Sequence, residues 1–329
     1  MRNCADRRDF LGAALLLAGS SVAFAVHPQS RYPAQPISLI VPFPPGGVAD
    51  IVARSVAVQL QQRLGQSALV INRPGAGGAI GAAQVANGKP DGYLMLVALT
   101  SLSTNPEQEL LNNRPVPFQL KQLAPVARLS SEDMMLAVPA ASSYHSIAAI
   151  VADARRRPGA ISYASSGNYG VYHIATEMFV EAAKIRLNHI PYSGGAPAML
   201  ALVSGQVDLG LVTRSVGLAQ LKAGKVRPIA AWGESRWEEY PDVPTVTESG
   251  YSANYTLWSG LFVQADTPKE IVNALRVAVA AAVADTDFRS AMKNQGVRLA
   301  YLDGPEFGNF WQADSARLIK TVRRIGKLQ

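Results

Sequence analysis

Short apolar runs rich in β-branched residues alternate, for most of the chain, with stretches whose apolar positions recur at three- and four-residue spacings. Ile37-Ser38-Leu39-Ile40-Val41 reads as a strand ahead of an amphipathic helix over Val48 to Leu64, whose apolar face is Val48, Ile51, Val52, Val56 and Leu60. Ala68-Leu69-Val70-Ile71 precedes a helix over Ala79 to Ala86, and a strand over Tyr93 to Leu99 follows. This is the βαβ rhythm of a parallel sheet. A second series runs through Met134 to Val138, Ile161 to Ala164, Leu187 to Pro191, Val207 to Val212 and Val226 to Ala231, so two α/β units are expected. The long amphipathic helices come last. Thr267-Pro268-Lys269-Glu270 has the form of a capping box with proline at the first helical position, ahead of Ile271, Val272, Leu275 and Val279, and a further helix is expected from about Pro305 to Arg324. No strand series follows them, so they are expected to pack back onto the first unit. The crossings then fall near Val126 to Ser131 and near Tyr251 to Leu257, giving a discontinuous first domain, 26–128 with 255–329, and a second domain, 129–254.

Composition narrows the class. With 329 residues, 48% of them hydrophobic and 17% charged, the chain buries a large core and reads as a globular protein of two domains. Arg7-Arg8-Asp9-Phe10-Leu11 leads into the apolar run Gly12 to Ala18 and then Ala23-Phe24-Ala25, which together predict a twin-arginine signal peptide over residues 1–25 and a periplasmic location. Its removal takes three arginines and two aspartates, so the formal charge falls from +7 to +6. The balance stays basic, yet Arg155-Arg156-Arg157 is the only basic cluster longer than two and no aromatics interleave with it, which argues against nucleic acid. The one cysteine, Cys4, lies within the expected signal, so neither a disulfide nor thiol chemistry is expected.

One motif asks for a function. In Val41-Pro42-Phe43-Pro44-Pro45-Gly46-Gly47-Val48-Ala49-Asp50 two prolines stiffen the exit from a strand and two glycines bare the backbone at a helix start. Such a start points unpaired N–H groups at open space. One loop of this kind is equally an ordinary βα connection. Comparable strand, small-residue loop and helix starts recur at Ser165-Ser166-Gly167-Asn168-Tyr169-Gly170 and at Tyr192-Ser193-Gly194-Gly195-Ala196-Pro197, and a small polar loop, Thr100 to Asn105, follows Tyr93 to Leu99. Ligands of open α/β sheets bind beyond the carboxyl ends of the strands, so these loops predict a shared cleft between two domains.

Rival chemistries find little support. Gly75-Ala76-Gly77-Gly78-Ala79-Ile80-Gly81 approaches a dinucleotide fingerprint, but the third glycine falls one place late and the ribose-binding acid would be Asp91, about 14 residues from Gly77. These glycines are read as helix-start packing, and an exported nicotinamide-dependent oxidoreductase stays a minor alternative. There is no G-x-S-x-G elbow, and His27, His145, His173 and His189 lack the spacing of a metal site, so neither catalysis, cofactor nor metal is expected. His173 reads equally as a ligand-orienting group or a histidine satisfied by nearby backbone, and Asp50 as a dipole-complementing residue beside the loop.

Taken in order, Tyr32-Pro33 with Pro36-Ile37, Val41 to Asp50, Asn72 to Gly78, Pro90-Asp91-Gly92-Tyr93, Tyr163 to Asn168 with His173, Pro191-Tyr192 with Gly194 to Ala198, Gly205-Gln206-Val207-Asp208, Lys222 to Lys225, Pro241 to Val246 and Thr267-Pro268 resemble the substrate-binding receptors of tripartite tricarboxylate transporters, the Bug receptors. The resemblance implies a type II periplasmic binding protein: two α/β lobes around a ligand cleft, joined by two crossings. It also implies a monomer without catalysis, which takes up a small organic acid and delivers it to a large and a small membrane subunit. A sensor feeding a membrane histidine kinase would share the same pocket. By matching position the cleft residues are Phe43, Pro45, Gly46, Gly47, Val48 and Asp50; Thr100, Ser101 and Ser103; Ser165, Ser166, Gly167, Asn168, Tyr169 and His173; and Tyr192, with Trp258 near a crossing. The chain departs from the family pattern at Val48-Ala49, at Tyr169-Gly170-Val171-Tyr172 and at Val212-Thr213. These exchanges predict a less polar, bulkier cleft, suited to a monocarboxylate or short dicarboxylate with an apolar or aromatic body.

Overall fold

The computed structural model describes residues 32–233, 235–253 and 255–327; the expected signal peptide and His27 lie outside them. In chain order the elements are β1 (Ile37–Val41), α1 (Val48–Leu64), β2 (Ala68–Asn72), α2 (Ala79–Ala86), β3 (Leu94–Leu99), α3 (Asn105–Leu111), β4 (Leu123–Glu132), β5 (Met134–Pro139), α4 (Ile147–Arg156), β6 (Ser162–Ser165), α5 (Val171–Ala183), β7 (Asn188–Pro191), α6 (Gly195–Val203), β8 (Leu209–Thr213), α7 (Arg214–Lys222), β9 (Val226–Trp232), β10 (Leu257–Gln264), α8 (Lys269–Ala284), α9 (Thr286–Asn294), β11 (Leu299–Asp303) and α10 (Gly304–Ile325).

Two sheets organise them. The first has the order β11-β4-β10-β3-β1-β2 and the second β7-β6-β8-β5-β9. The βαβ segments pair in parallel as the sequence rhythm predicts, β1 with β2 and β3, and β6 with β7 and β8. The strands at the crossings run the other way: β10 is antiparallel to β3 and β4, and β5 to β8 and β9. Both sheets are therefore mixed, where the sequence suggested parallel ones. β11 adds a strand between the last helices, where none was expected.

The chain leaves the first sheet at Glu132 and enters the second at Met134, with Asp133 alone between. The first crossing was expected near Val126 to Ser131, a stretch that lies within β4. The return leads from Trp232 to Leu257. A 2.6 Å hydrogen bond between the Ser130 and Ser259 hydroxyls locks β4 to β10 beside these crossings.

Apolar patterning sets the packing. Val48, Val52, Val56 and Leu60 bury one face of α1 in the core that includes Leu39, Val41, Val97 and Leu261. On the other face of the first sheet Trp258, Phe262, Phe307 and Trp311 form an aromatic cluster, with Gly260 leaving room for the Phe307 ring. The last helix does pack on the first sheet, where the Trp311 ring lies 4.8 Å, centroid to centroid, from that of Phe262 in β10, and Trp311 Nε1 donates to Ser103 Oγ (3.1 Å) in the turn after β3. The expected capping box at Thr267 does not form. The helix begins at Lys269 without a side-chain cap, and the Thr267 hydroxyl donates to the Gln264 carbonyl at 2.7 Å.

Candidate functional site

Three helices, α1, α5 and α6, begin at glycine N-caps (Gly47, Gly170 and Gly194), and none of these has a side-chain cap. The first-turn amides of such a helix have no acceptor within it. All three starts line one cavity. From the first sheet come Phe43, Pro44, Gly47, Val48, Ala49, Leu99, Ser101 and Leu257, and from the second Ser166, Val171, Tyr172, Gly194, Gly195, Ala196 and Pro197. The lining holds no arginine, lysine or histidine, and its side-chain polar groups are the hydroxyls of Ser101, Ser166 and Tyr172. The cavity volume is about 20 Å³, room for about one water.

The β1–α1 loop and the start of α6 meet closely because neither side chain intervenes. A Cβ on Gly194 would lie 3.1 Å from Pro44 Cδ, and one on Gly46, whose φ is +81°, would lie 3.9 Å from the Ala196 Cβ. Asp50 shapes this loop from behind. Its carboxylate accepts from the Gly46 N–H (3.0 Å), from Asn72 Nδ2 (3.0 Å) and from Arg54 Nε (2.9 Å). Burial opposes its charge, yet these bonds, Arg54 foremost, hold its pKa below the ordinary value.

Of the residues expected in the cleft, Phe43, Gly47, Val48, Ser101 and Ser166 line the cavity. Pro45 and Gly46 are exposed at the outside of the loop. Several others are turned to structural partners. Thr100 accepts from the Trp258 N–H at 2.9 Å, and Ser103 accepts from Trp311 and from the Ser315 hydroxyl. Ser165 bonds His189 Nε2 at 2.6 Å, and the Gly167 carbonyl accepts from the Gly170 N–H. The Tyr169 hydroxyl reaches the Gly326 carbonyl (2.7 Å), and the Trp258 indole donates to Asp314 (2.8 Å). Asn168 is exposed in a separate groove with Gly77, Gln108 and Arg114, and Tyr192 is half-buried away from the cavity.

His173 is a packed histidine. Its Nδ1 accepts from the Tyr169 N–H at 2.8 Å and its ring stacks on His189, with centroids 3.9 Å apart. Burial, with His189 alongside, holds its pKa well below the ordinary value.

The glycine-rich turn before α2 behaves as packing. A Cβ on Gly81 would lie 2.8 Å from Pro42 Cβ, and Asp91 accepts from the Tyr93 N–H across a tight turn. Val171, Tyr172 and the α6 start, which line the cavity, belong to the loops and the bulkier segment that the sequence placed at the shared cleft, though none of them was among the individual cleft residues named. The signal was present in the second small-residue loop, Gly194-Gly195-Ala196-Pro197, and in the aromatic residue two places after Gly170.

Residues 52–327 match the family model described as the tripartite tricarboxylate transporter family receptor. The chain is 32% identical over 303 residues, 91% of this chain and 88% of the relative, to a UPF0065 protein in a tcbD-tcbE intergenic region of Pseudomonas sp. (strain P51). It superposes on the periplasmic binding protein BugD with a TM-score of 0.82 at 30% identity, covering 90% of this chain and all of that one. The R. palustris protein Rpa4515, solved with adipate, gives a TM-score of 0.82 at 27% identity over 89% of this chain and 97% of that one. A two-sheet α/β architecture with helix starts converging on one cleft, and a family match across most of its length, establish that the chain belongs to the receptor family of the tripartite tricarboxylate transporters and is a solute-binding receptor of that kind.

Proposed function

We propose that this receptor captures, in the periplasm, a small solute bearing a carboxylate and hands it to a transporter of one large and one small membrane subunit. The observation that carries the reading is the convergence of three helix starts with glycine N-caps on a cavity without a cationic side chain, the α5 start having one first-turn amide, Tyr172 N–H, on the Ser166 hydroxyl at 3.4 Å. Each helix dipole contributes only about 0.3–1 kcal/mol to an exposed anion, whereas a charge-assisted hydrogen bond contributes about 1.5–3 kcal/mol. Micromolar affinity needs about 8 kcal/mol. Amides from α1 and α6 together with the Ser101 and Ser166 hydroxyls supply several such bonds, and removal from water strengthens them.

A cavity of about 20 Å³ admits a carboxylate only as the two lobes part, and the crossings at Asp133 and at 233–256 are where they rotate. The apolar remainder of the lining, Phe43, Val48, Leu99, Val171 and Leu257, suits a monocarboxylate or a short dicarboxylate with an apolar body. The adipate held by Rpa4515 is a ligand of that description. Calorimetry of the mature receptor against acetate, butyrate, benzoate, adipate and citrate tests this reading: saturable binding of an acid with an apolar body supports it, and binding of citrate alone defeats it.

A further inference from the structure

Next to the cavity, the two sides of the cleft border a second space, a groove of about 320 Å³. Gly77 and, on α3, Gln108 and Glu109 line it from the first side, with Arg114 beyond, and Asn168 and Pro191 face them from the second. A thin wall divides groove from cavity. Ser101 lines the cavity, and its hydroxyl donates at 3.4 Å to the carbonyl of Gly77, which lines the groove. Opposite, Ser166 lines the cavity and Asn168, two residues later, the groove. The wall is thus assembled from both lobes, and as they part the cavity and the groove open into one cleft.

One polar group at this seam has no structural use. Gln108 is 4% exposed, and its side-chain oxygen Oε1 is buried and, among the described residues, has no hydrogen-bond partner. It faces the point where Gly77 lacks a side chain: a Cβ there would lie 3.5 Å from Gln108 Oε1 and 3.5 Å from the Asn168 carbonyl oxygen. Two acceptors, one from each lobe, therefore flank a single point, and Gly77, with φ +63°, keeps a side chain out of it. The charges nearby are spent on each other. Arg114 donates to both carboxylate oxygens of Glu109, at 2.6 Å and 3.0 Å, so the groove supplies no cation for a second carboxylate. What its chemistry lacks is a donor.

An amide oxygen buried without a donor opposes the step that buries it. With the lobes apart, water reaches the seam and pairs Gln108. Closure over a solute that ends in a methyl group strands the oxygen, whereas closure over a solute that brings its own donor pairs it again. Building on the carboxylate reading above, we propose that Gln108 is a specificity-determining residue: the solute carries, at the end remote from its carboxylate, a hydroxyl or amino group that donates to Gln108 Oε1, an amino group reaching the Asn168 carbonyl as well. The carboxylate then lies against the starts of α1 and α6, the apolar body along Phe43 and Leu99, and the far end past Ser101 and Gly77. One group both attracts the donor-bearing acid and rejects its plain analogue.

Calorimetry of the full mature receptor tests this with matched acids: butyrate against γ-aminobutyrate, hexanoate against ω-hydroxyhexanoate and ω-aminohexanoate, and benzoate against para-hydroxybenzoate. In at least one set the donor-bearing acid should bind more tightly than its parent by about 5- to 150-fold, and the hexanoate series separates hydroxyl from amino. Gln108→Leu, which keeps the bulk and lacks the oxygen, should erase that difference while binding the parent acid at least as tightly as the wild type does. A crystal structure with the preferred acid should place its donor within about 3.2 Å of Gln108 Oε1. Equal binding within every set by the wild type, a result that needs no variant, overturns the proposal and leaves the carboxylate reading intact. So does a preference that survives in Gln108→Leu, or a donor turned away from the groove. If none of these acids binds, the carboxylate reading fails and the proposal with it.

Discussion

Replacing Gly47 by valine separates ligand capture from folding. Gly47 has φ −85° and ψ 171°, a region that valine adopts freely, and the nearest atom to an added Cβ is the Pro44 carbonyl oxygen at 3.8 Å. No side-chain cap exists at this position to be lost. Valine is a poorer N-cap than glycine by about 1 kcal/mol at most, which lowers the melting temperature of a protein this size by roughly 2 °C. The isopropyl group projects from a residue that lines a cavity of about 20 Å³, so it blocks the approach to the Val48 and Ala49 amides. Losing two charge-assisted bonds of about 1.5–3 kcal/mol each removes about 3–6 kcal/mol, a fall in affinity of roughly 10²- to 10⁴-fold. Calorimetry with a carboxylate that the native receptor binds, alongside a thermal melt, measures both quantities. A Gly47→Val receptor that keeps its affinity within about threefold refutes the placement of the solute against α1, and a melt lowered by about 10 °C refutes the claim that this backbone is unstrained.

Two further substitutions probe the support of the site. Asp50→Ala leaves the Gly46 amide without its acceptor and Asn72 with the Phe43 carbonyl as its acceptor and should cost about 3 kcal/mol; urea unfolding reads this, and a loss under about 1 kcal/mol contradicts a structural Asp50. His189, held by burial at a pKa of about 4 against an ordinary 6.5, binds its proton more readily unfolded than folded. Stability is therefore lost as pH falls from 6.5 through 4, by up to about 3 kcal/mol from this residue. His189→Phe should flatten that acid limb in denaturant titrations while keeping a ring against His173, and limbs that stay parallel would contradict the assignment.

Several strands flanked by helices were legible because each carries a short, mostly apolar run, as in Ile37 to Val41, broken only by Ser38, which forms β1 over those residues. The crossing strands were not. β4 contains Pro125, Arg128, Ser130, Ser131 and Glu132, and it pairs through its backbone while its polar side chains find partners such as Ser259 and Ser215. Strand direction is a property of the topology, so the antiparallel β5 and β10 could not be read from periodicity. In the site, glycine and proline marked the loops correctly as loops, since their backbone requirement is local. Which way a polar side chain turns depends on a partner far along the chain: Trp258 for Thr100, Trp311 and Ser315 for Ser103, Gly326 for Tyr169, and Asp314 for Trp258.

The central claim is that main-chain amides from helix starts on both sheets hold the solute carboxylate. A crystal structure of the receptor with adipate or benzoate bound tests it directly. Carboxylate oxygens within about 3 Å of the Val48 or Ala49 amide on one side and the Gly195 or Ala196 amide on the other are the predicted result. A carboxylate paired instead with side-chain cations in the charged groove of Arg214, Arg236, Lys293 and Arg298, with those amides left untouched, would contradict it.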